Sequence, residues 1–170
     1  EDAESRFPVL NLSREMTTDT GGAGRWRGQP GTCNIKQVLE PASAMTWMVS
    51  RKHPLRGLNG GDDAGPYSNR FLVGTEQEFE VEDALNAQLP AGAITRYQYG
   101  GGAGFESPLL RDPVAVKEDV LDEYVSIEAA RERYGVILTG SIENFDLAID
   151  QVKTEDLRRQ RLAAKASDSA

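Results

Sequence analysis

An α+β fold is predicted, a β-rich module with glycine-rich loops followed by short C-terminal helices. Three observations carry that expectation. Roughly the first two thirds of the chain break into strand-length runs rich in β-branched and aromatic residues. Two glycine-rich segments, 21–31 and 100–104, interrupt those runs. After Ser107-Pro108 the character changes, and apolar residues recur at helical spacing.

Taken in order, Phe7 to Glu15 alternates around Val9 and Leu10 and predicts a strand. Residues 21–31 (GGAGRWRGQPG) hold too much Gly and Pro for a helix or a central strand. Thr32 to Glu40 and Ala42 to Ser50 predict strands on either side of Pro41. Residues 53–69 (HPLRGLNGGDDAGPYSN) predict a long loop, of the kind that in compact domains is functional or mobile. Asn69 to Thr75 and Gln77 to Glu82 predict a pair joined near Gly74-Thr75, and Pro90-Ala91-Gly92 turns into a further strand, Ala93 to Tyr99.

The closing part is read from caps. Asp112-Pro113 starts a helix, with Asp as the cap and Pro at the first helical position. Val116, Val120 and Tyr124 repeat on one face with Leu121 beside them, leaving Lys117, Glu118, Asp119 and Asp122 outside the stripe. Ser126 caps a second helix, Ile127 to Tyr134, and Gly135 stands where a left-handed residue ends it. Val136 to Leu138 is a short strand. Thr154 is the expected cap of a last helix through Arg158, Arg159 and Arg161 toward Lys165, whose cations suit the negative end of the helix dipole. The final five residues are expected to be disordered. The partition is then a glycine-loop module at 1–107, a helical closing segment at 108–140, and an extension at 141–170.

Composition narrows the function. At 170 residues the chain suits one ordinary domain or a domain with a tail, and 39% hydrophobic residues supply a core. A net charge of −8 argues against nucleic acid and anionic membranes as partners. No apolar run approaches the roughly 18–20 residues of a membrane span. One cysteine, Cys33, allows neither an internal disulfide nor a thiolate cage, and with no leader sequence in view a cytoplasmic location is expected. The abrupt start at Glu1-Asp2, without Met, reads as a processed or excised piece of a larger protein, or as numbering from a first ordered residue.

Chemistry-bearing candidates are few. The glycine runs can present N–H groups to an anion, yet neither forms a known phosphate cradle: counted from Gly100, the sixth position of G-x-G-x-x-G is Phe105. They serve equally as tight turns. His53, the only histidine, precedes Pro54 in a loop and suits a surface residue. Asp62-Asp63 lacks the one-residue spacing of a calcium loop. Arg25-Trp26-Arg27 can clamp a carboxylate, or Trp26 can anchor a core beneath surface arginines. Cys33 is expected to be a buried, inert thiol. With one His and one Cys, the chain by itself is expected to bind no metal tightly and to turn nothing over.

Five near-consecutive residues with at most one Cβ exceed what a turn needs. Gly21-Gly22 and Gly100, Gly101 and Gly102 are therefore expected to lie together and close one side of a cavity whose chemistry comes from elsewhere, with two unrelated turns as the alternative.

Three stretches together resemble one family. FPVLNLSREMTTDTGGAGRWRGQPGT at 7–32 is similar to a family strand followed by an acidic residue, a Gly pair and an Arg-Gly turn, here Asp19, Gly21-Gly22 and Arg27-Gly28. RGLNGGDDAGPYSN at 56–69 resembles a glycine-rich family element. The most specific is GGGAGFESPLLRDPVAVKEDVLDEYVSIEAARERYGVIL at 100–138. The family is that of hydantoinase B subunits, which includes oxoprolinases and ketone carboxylases, and the likeness covers about residues 4 to 140.

The resemblance implies the C-terminal module of a B-type subunit in an ATP-dependent enzyme acting on a small molecule. An A-type partner would handle ATP. A divalent metal (Mg, Mn or Zn) would sit in the remainder of the B-type subunit, with no cofactor held by this chain. Asp19, Gly21, Gly22, Arg25, Arg27, Gly100, Gly101 and Gly102 are the loop or cavity-lining candidates. Hydrolytic members close the glycine run with Tyr-Gly-Asp-Pro. Here Phe105-Glu106-Ser107-Pro108 stands there, which tilts the expectation toward a ketone carboxylase, with cyclic-amide hydrolysis and a non-catalytic assembly module as alternatives.

Overall fold

The structure is a computed structural model that describes residues 2–47, 53–65, 67–81 and 84–168. It is α+β, with antiparallel sheets followed by short helices and a longer C-terminal helix. A helix α1 (Asp2–Arg6) precedes β1 (Val9–Thr17), β2 (Gly31–Val38), β3 (Ala42–Trp47), β4 (Ser68–Phe71), β5 (Phe79–Val81), β6 (Ala84–Leu89) and β7 (Ile94–Gln98). The closing part holds α2 (Pro113–Leu121), α3 (Ile127–Glu132), β8 (Leu138–Thr139), β9 (Ala148–Ile149) and α4 (Gln151–Asp168).

Five strands form one antiparallel sheet in the order β1-β2-β7-β4-β5. A separate ribbon, β3 with β6, lies across one of its faces. The core between them is Val38, Phe71, Val81, Leu89 and Ala93, flanked by Ala42, Ala44 and Tyr97. Phe71 is its centre, fully buried, stacked on Phe79 and edge-on to Tyr97. At the other end of the sheet the chain leaves β1, enters β2, leaves β7 and enters β4, because Thr17 pairs with Gly31 and Gln98 with both Cys33 and Ser68. The glycine segments hang from that end. A second core lies beyond them, where Ala23 meets Val116, Val120, Val125, Ala130, Tyr134 and Val136.

Several expectations need correction. β6 escapes a reading of the sequence because Ala84 to Leu89 is rich in Ala, Leu, Asn and Gln, which argue against a strand; pairing with β3 decides it instead. α1 and β9 are too short for periodicity to reveal. The strand expected at Val136 to Leu138 begins at Leu138, and α3 ends at Glu132, ahead of Gly135 in the left-handed region. Asp112 and Ser126 do cap α2 and α3, accepting from Val114 N and Ala129 N. Thr154 caps nothing. α4 begins at Gln151, where Asp150 accepts from Lys153 N, and the buried Thr154 hydroxyl takes the Ile137 N–H. Helix α4 also runs on to Asp168, where a disordered end was expected, and residues 169–170 lie outside the described residues, as do 48–50 of the strand expected through Ser50. Two of its arginines reach back to the end of α3: Arg158 Nε donates to Tyr134 O and Arg161 Nη1 to Glu132 O, satisfying carbonyls left open there, while Arg159 pairs with Asp156 at the surface.

Candidate functional site

Three segments, 20–29, 57–65 and 100–106, are bonded into one lattice almost wholly through main chain. Each bonds to both others. Gly22 N donates to Gly102 O at 2.8 Å, and Gly102 N to Gln29 O at 2.8 Å. Asp62 N donates to Ala23 O and Gly65 N to Thr20 O, both at 2.7 Å. Gly104 N donates to Asp62 O at 2.9 Å and Leu58 N to Gly104 O at 3.1 Å. Trp26 and Phe105 exchange a pair of bonds at 3.0 and 3.1 Å.

The glycines are there for close approach. Gly21, Gly22, Gly100, Gly101 and Gly102 have no left-handed φ, so turn geometry does not explain them. A Cβ on Gly22 would stand 2.6 Å from Gly104 N, and one on Gly101 would run into the Thr20 and Gln29 carbonyls. Within Gly22-Ala23-Gly24 the one methyl is fully buried in the helical core, while both flanking residues face backbone. The alternation of Gly and Ala is thus a packing pattern.

Asp19 and Arg27 tie the lattice to the helices. Asp19 sits at φ 62°, donates its N–H to Tyr124 O, and accepts from Ser126 N on Oδ1 at 2.9 Å. Arg27 donates from Nε to Asp119 Oδ1 at 3.1 Å and from Nη1 to Gly28 O at 2.7 Å, with its guanidinium over the Tyr124 ring. Arg111 takes Asp119 Oδ2 from the other side, through Nη2 at 2.8 Å and Nε at 2.9 Å, and donates Nη1 to Arg25 O. Asp119, expected outside the apolar stripe, is therefore 6% exposed. Its position on α2 faces two guanidinium groups that neutralise it, and spacing alone could not reveal partners 92 and 8 residues away. Tyr134 lies fully inside this core; burial, then the Asp119 charge, pushes its phenol up to about 12.

Arg25 is exposed, pairs with Glu106 at 3.2 Å and lies over Trp26. Trp26 is 63% exposed, so the core-anchor alternative fails: the Trp26–Phe105 bridge turns it outward. Cys33 is buried as expected, with Arg96 Nε 3.3 Å from its sulfur. His53 is exposed. Among the described residues no three His, Cys, Asp or Glu side chains are grouped to hold a metal. The Asp63 carboxylate is turned to the Gly57 N–H. The N–H groups of Gly22, Gly28, Gly61, Gly65, Gly102 and Gly104 are directed to carbonyls of the chain itself, so these six are not presented to a phosphate. Among the described residues no helix is long and apolar enough to cross a membrane.

Two hollows flank this arrangement. A cleft of about 730 Å³ opens between the main sheet and the ribbon, walled by Val9, Asn34, Lys36, Tyr97 and β3. A smaller one, about 340 Å³, is lined by Met16, Arg27, Gln29, Pro30 and Tyr124. Of the eight candidate residues only Arg27 lines either.

The family model described as hydantoinase B/oxoprolinase matches residues 1–108. The chain is 33% identical over 148 residues to the beta chain of the caprolactamase of Pseudomonas jessenii, covering 81% of this chain and 25% of that one. It is 29% identical over 168 residues to the B component of a putative D-/L-hydantoinase of a Pseudomonas species, covering 94% and 26%. A nucleotide-free acetone carboxylase structure superposes with a TM-score of 0.78 at 22% identity, covering 98% of this chain and 26% of that one, a likeness of fold. The chain spans about a quarter of the length of these relatives.

Proposed function

This chain belongs to the hydantoinase B/oxoprolinase family, and from that premise we propose that it is the C-terminal part of a B-type subunit in a multisubunit, cytoplasmic, ATP-dependent enzyme that opens a cyclic amide. The choice of reaction rests on identity: 33% to the caprolactamase chain and 29% to the hydantoinase chain, against 25% to the alpha subunit of an acetone carboxylase. A second reading, carboxylation of a ketone, draws on the replacement of Tyr-Gly-Asp-Pro by Phe105-Glu106-Ser107-Pro108.

The role within the enzyme rests on one observation, the lattice in which Gly22, Gly28, Gly61, Gly65, Gly102 and Gly104 turn their N–H groups to carbonyls of the chain itself. Such a lattice is a wall and not a cradle. It is rigid because each of its three segments is bonded to both others, and dense because backbone meets backbone. In this reading Gly21, Gly22 and Gly100 to Gly102 form one side of the reaction cavity, Asp19 and Arg27 hold that side against the helices, and Arg25 pairs across it with Glu106. ATP belongs to an A-type partner. The divalent metal belongs to the remainder of the B-type subunit, as the family resemblance implies.

The test is turnover by the native assembly. Lactam or hydantoin ring opening coupled to ATP hydrolysis is the expected outcome. Bicarbonate-dependent ATP hydrolysis with a ketone, and none with cyclic amides, establishes the second reading. Turnover by the 170-residue chain alone overturns the division of labour.

A further inference from the structure

The ribbon is the least finished part of the molecule. Among the described residues β3 pairs with β6 alone, across six residue pairs, while the sheet it faces has five strands. Two-stranded ribbons are marginal by themselves. The 730 Å³ cleft lies on the β3 side: all six residues from Ala42 to Trp47 line it, while among the described side chains of β6 only Leu89 does. Six consecutive residues, from both faces of the pleat, line a hollow only where it runs along the edge of the strand. The cleft therefore exposes a row of β3 main-chain donors and acceptors.

Its surroundings fit a polypeptide. The burial of β3 alternates, with Ala42, Ala44 and Thr46 toward the sheet and Met45 and Trp47 outward at 60% and 69% exposure. On the floor, Asn34 Oδ1 is buried with no hydrogen-bond partner among the described residues, and half-buried Lys36 lies beside it on the same face of β2. A small molecule cannot satisfy an edge six residues, roughly 20 Å, long. A strand can.

We infer that β3 is completed by an added strand lying in this cleft over β1 and β2, supplied by the remainder of a B-type subunit. This rests on the family reading, in which the chain is about a quarter of its relatives' length. The strand carries a hydrogen-bond donor toward Asn34 and an acceptor or acidic group toward Lys36. On the outer face it packs beside Met45 and Trp47.

Hydrogen exchange of residues 42–47, compared between the native assembly and the 170-residue chain, tests it. In the chain, alternate β3 amides exchange freely; in the assembly all six are protected, the outer set by at least tenfold. Met45→Lys and Trp47→Lys, at exposed positions, weaken association at least tenfold, whereas Gln88→Lys on exposed β6 does not. An assembly that forms and turns over with β3 still exchanging freely overturns the inference and leaves the family reading intact. A chain that joins no further B-type part removes both. Equal protection in a self-associated chain makes a second copy the occupant, and a small molecule released from the cleft on denaturation makes it a ligand site; either overturns the inference.

Discussion

The two halves of this molecule are held together by opposite means. Between the sheet and the ribbon, side chains make the contact: Phe71 stacks on Phe79, Tyr97 meets it edge-on, and Val38, Val81 and Leu89 close around them. In the lattice almost no side chain intervenes, and three strands of backbone bond directly to one another. The packed half tolerates a large open cleft beside its core. At Gly22, Gly28, Gly61, Gly101 and Gly104 the bonded half has no room for one added methyl. A hydrophobic core repacks by degrees, whereas a main-chain lattice has no side chains to move aside, so its failures should be abrupt.

Gly104→Ala is the strongest test of that contrast. The new methyl would run into the Ala23 carbonyl, which is itself bonded to Asp62 N. The expected loss exceeds about 4 kcal/mol, and the chain should fail to show a cooperative urea transition. Gly101→Val should behave alike. A folded Gly104→Ala protein with only a small loss would mean that the lattice can give way, and the contrast would dissolve.

Phe71→Ala probes the packed half. Removing a fully buried ring should cost about 3–5 kcal/mol and leave a folded, weakened protein, measured as a shift of the urea midpoint. Asp119→Asn comes next. It leaves Arg27 and Arg111 facing an uncharged amide inside the second core, at about 3 kcal/mol, and should loosen the lattice from α2 without touching the sheet. Slower exchange at Gly22 and Gly102 in that variant would contradict the bracing role.

How much of this is legible in the sequence follows the same division. Strands β1, β2, β3, β4, β5 and β7 are readable because strand-length runs rich in β-branched and aromatic residues stand between turn signals, and both helix starts because Asp112 and Ser126 are capping residues used as caps. The glycine runs are visible as runs, but their geometry is not. A residue without a Cβ can mean a left-handed turn or a close approach, and only the partners distant in sequence separate the two. Asp119 deceives for a related reason: on a helix an acidic residue defaults to solvent, and nothing local announces Arg27 and Arg111. Thr154 does the same, since the pattern of a cap and that of a buried hydroxyl serving Ile137 N look alike in sequence.

Gly92→Ala makes the smallest change and separates the two kinds of glycine directly. Gly92 follows Pro90-Ala91 in the turn into β7, with φ at +83°, and no atom stands within 4 Å of where its Cβ would be. Substitution there meets no carbonyl. It must only hold an L-residue in the left-handed region, costing about 1–2 kcal/mol, offset in part because Ala reduces the freedom of the unfolded chain. A net loss of about 1 kcal/mol is expected, seen as a small midpoint shift with the slope of the urea transition unchanged. Gly74, at φ +82° and equally open, should repeat the result, and Gly74→Asn should cost less than Gly74→Ala because Asn accepts that region more readily. Should Gly92→Ala prove as damaging as Gly104→Ala, the glycines would share one conformational cause, and close approach would no longer explain the lattice. A tenfold or greater gap between their effects on the folding equilibrium assigns the one to backbone angle and the other to contact.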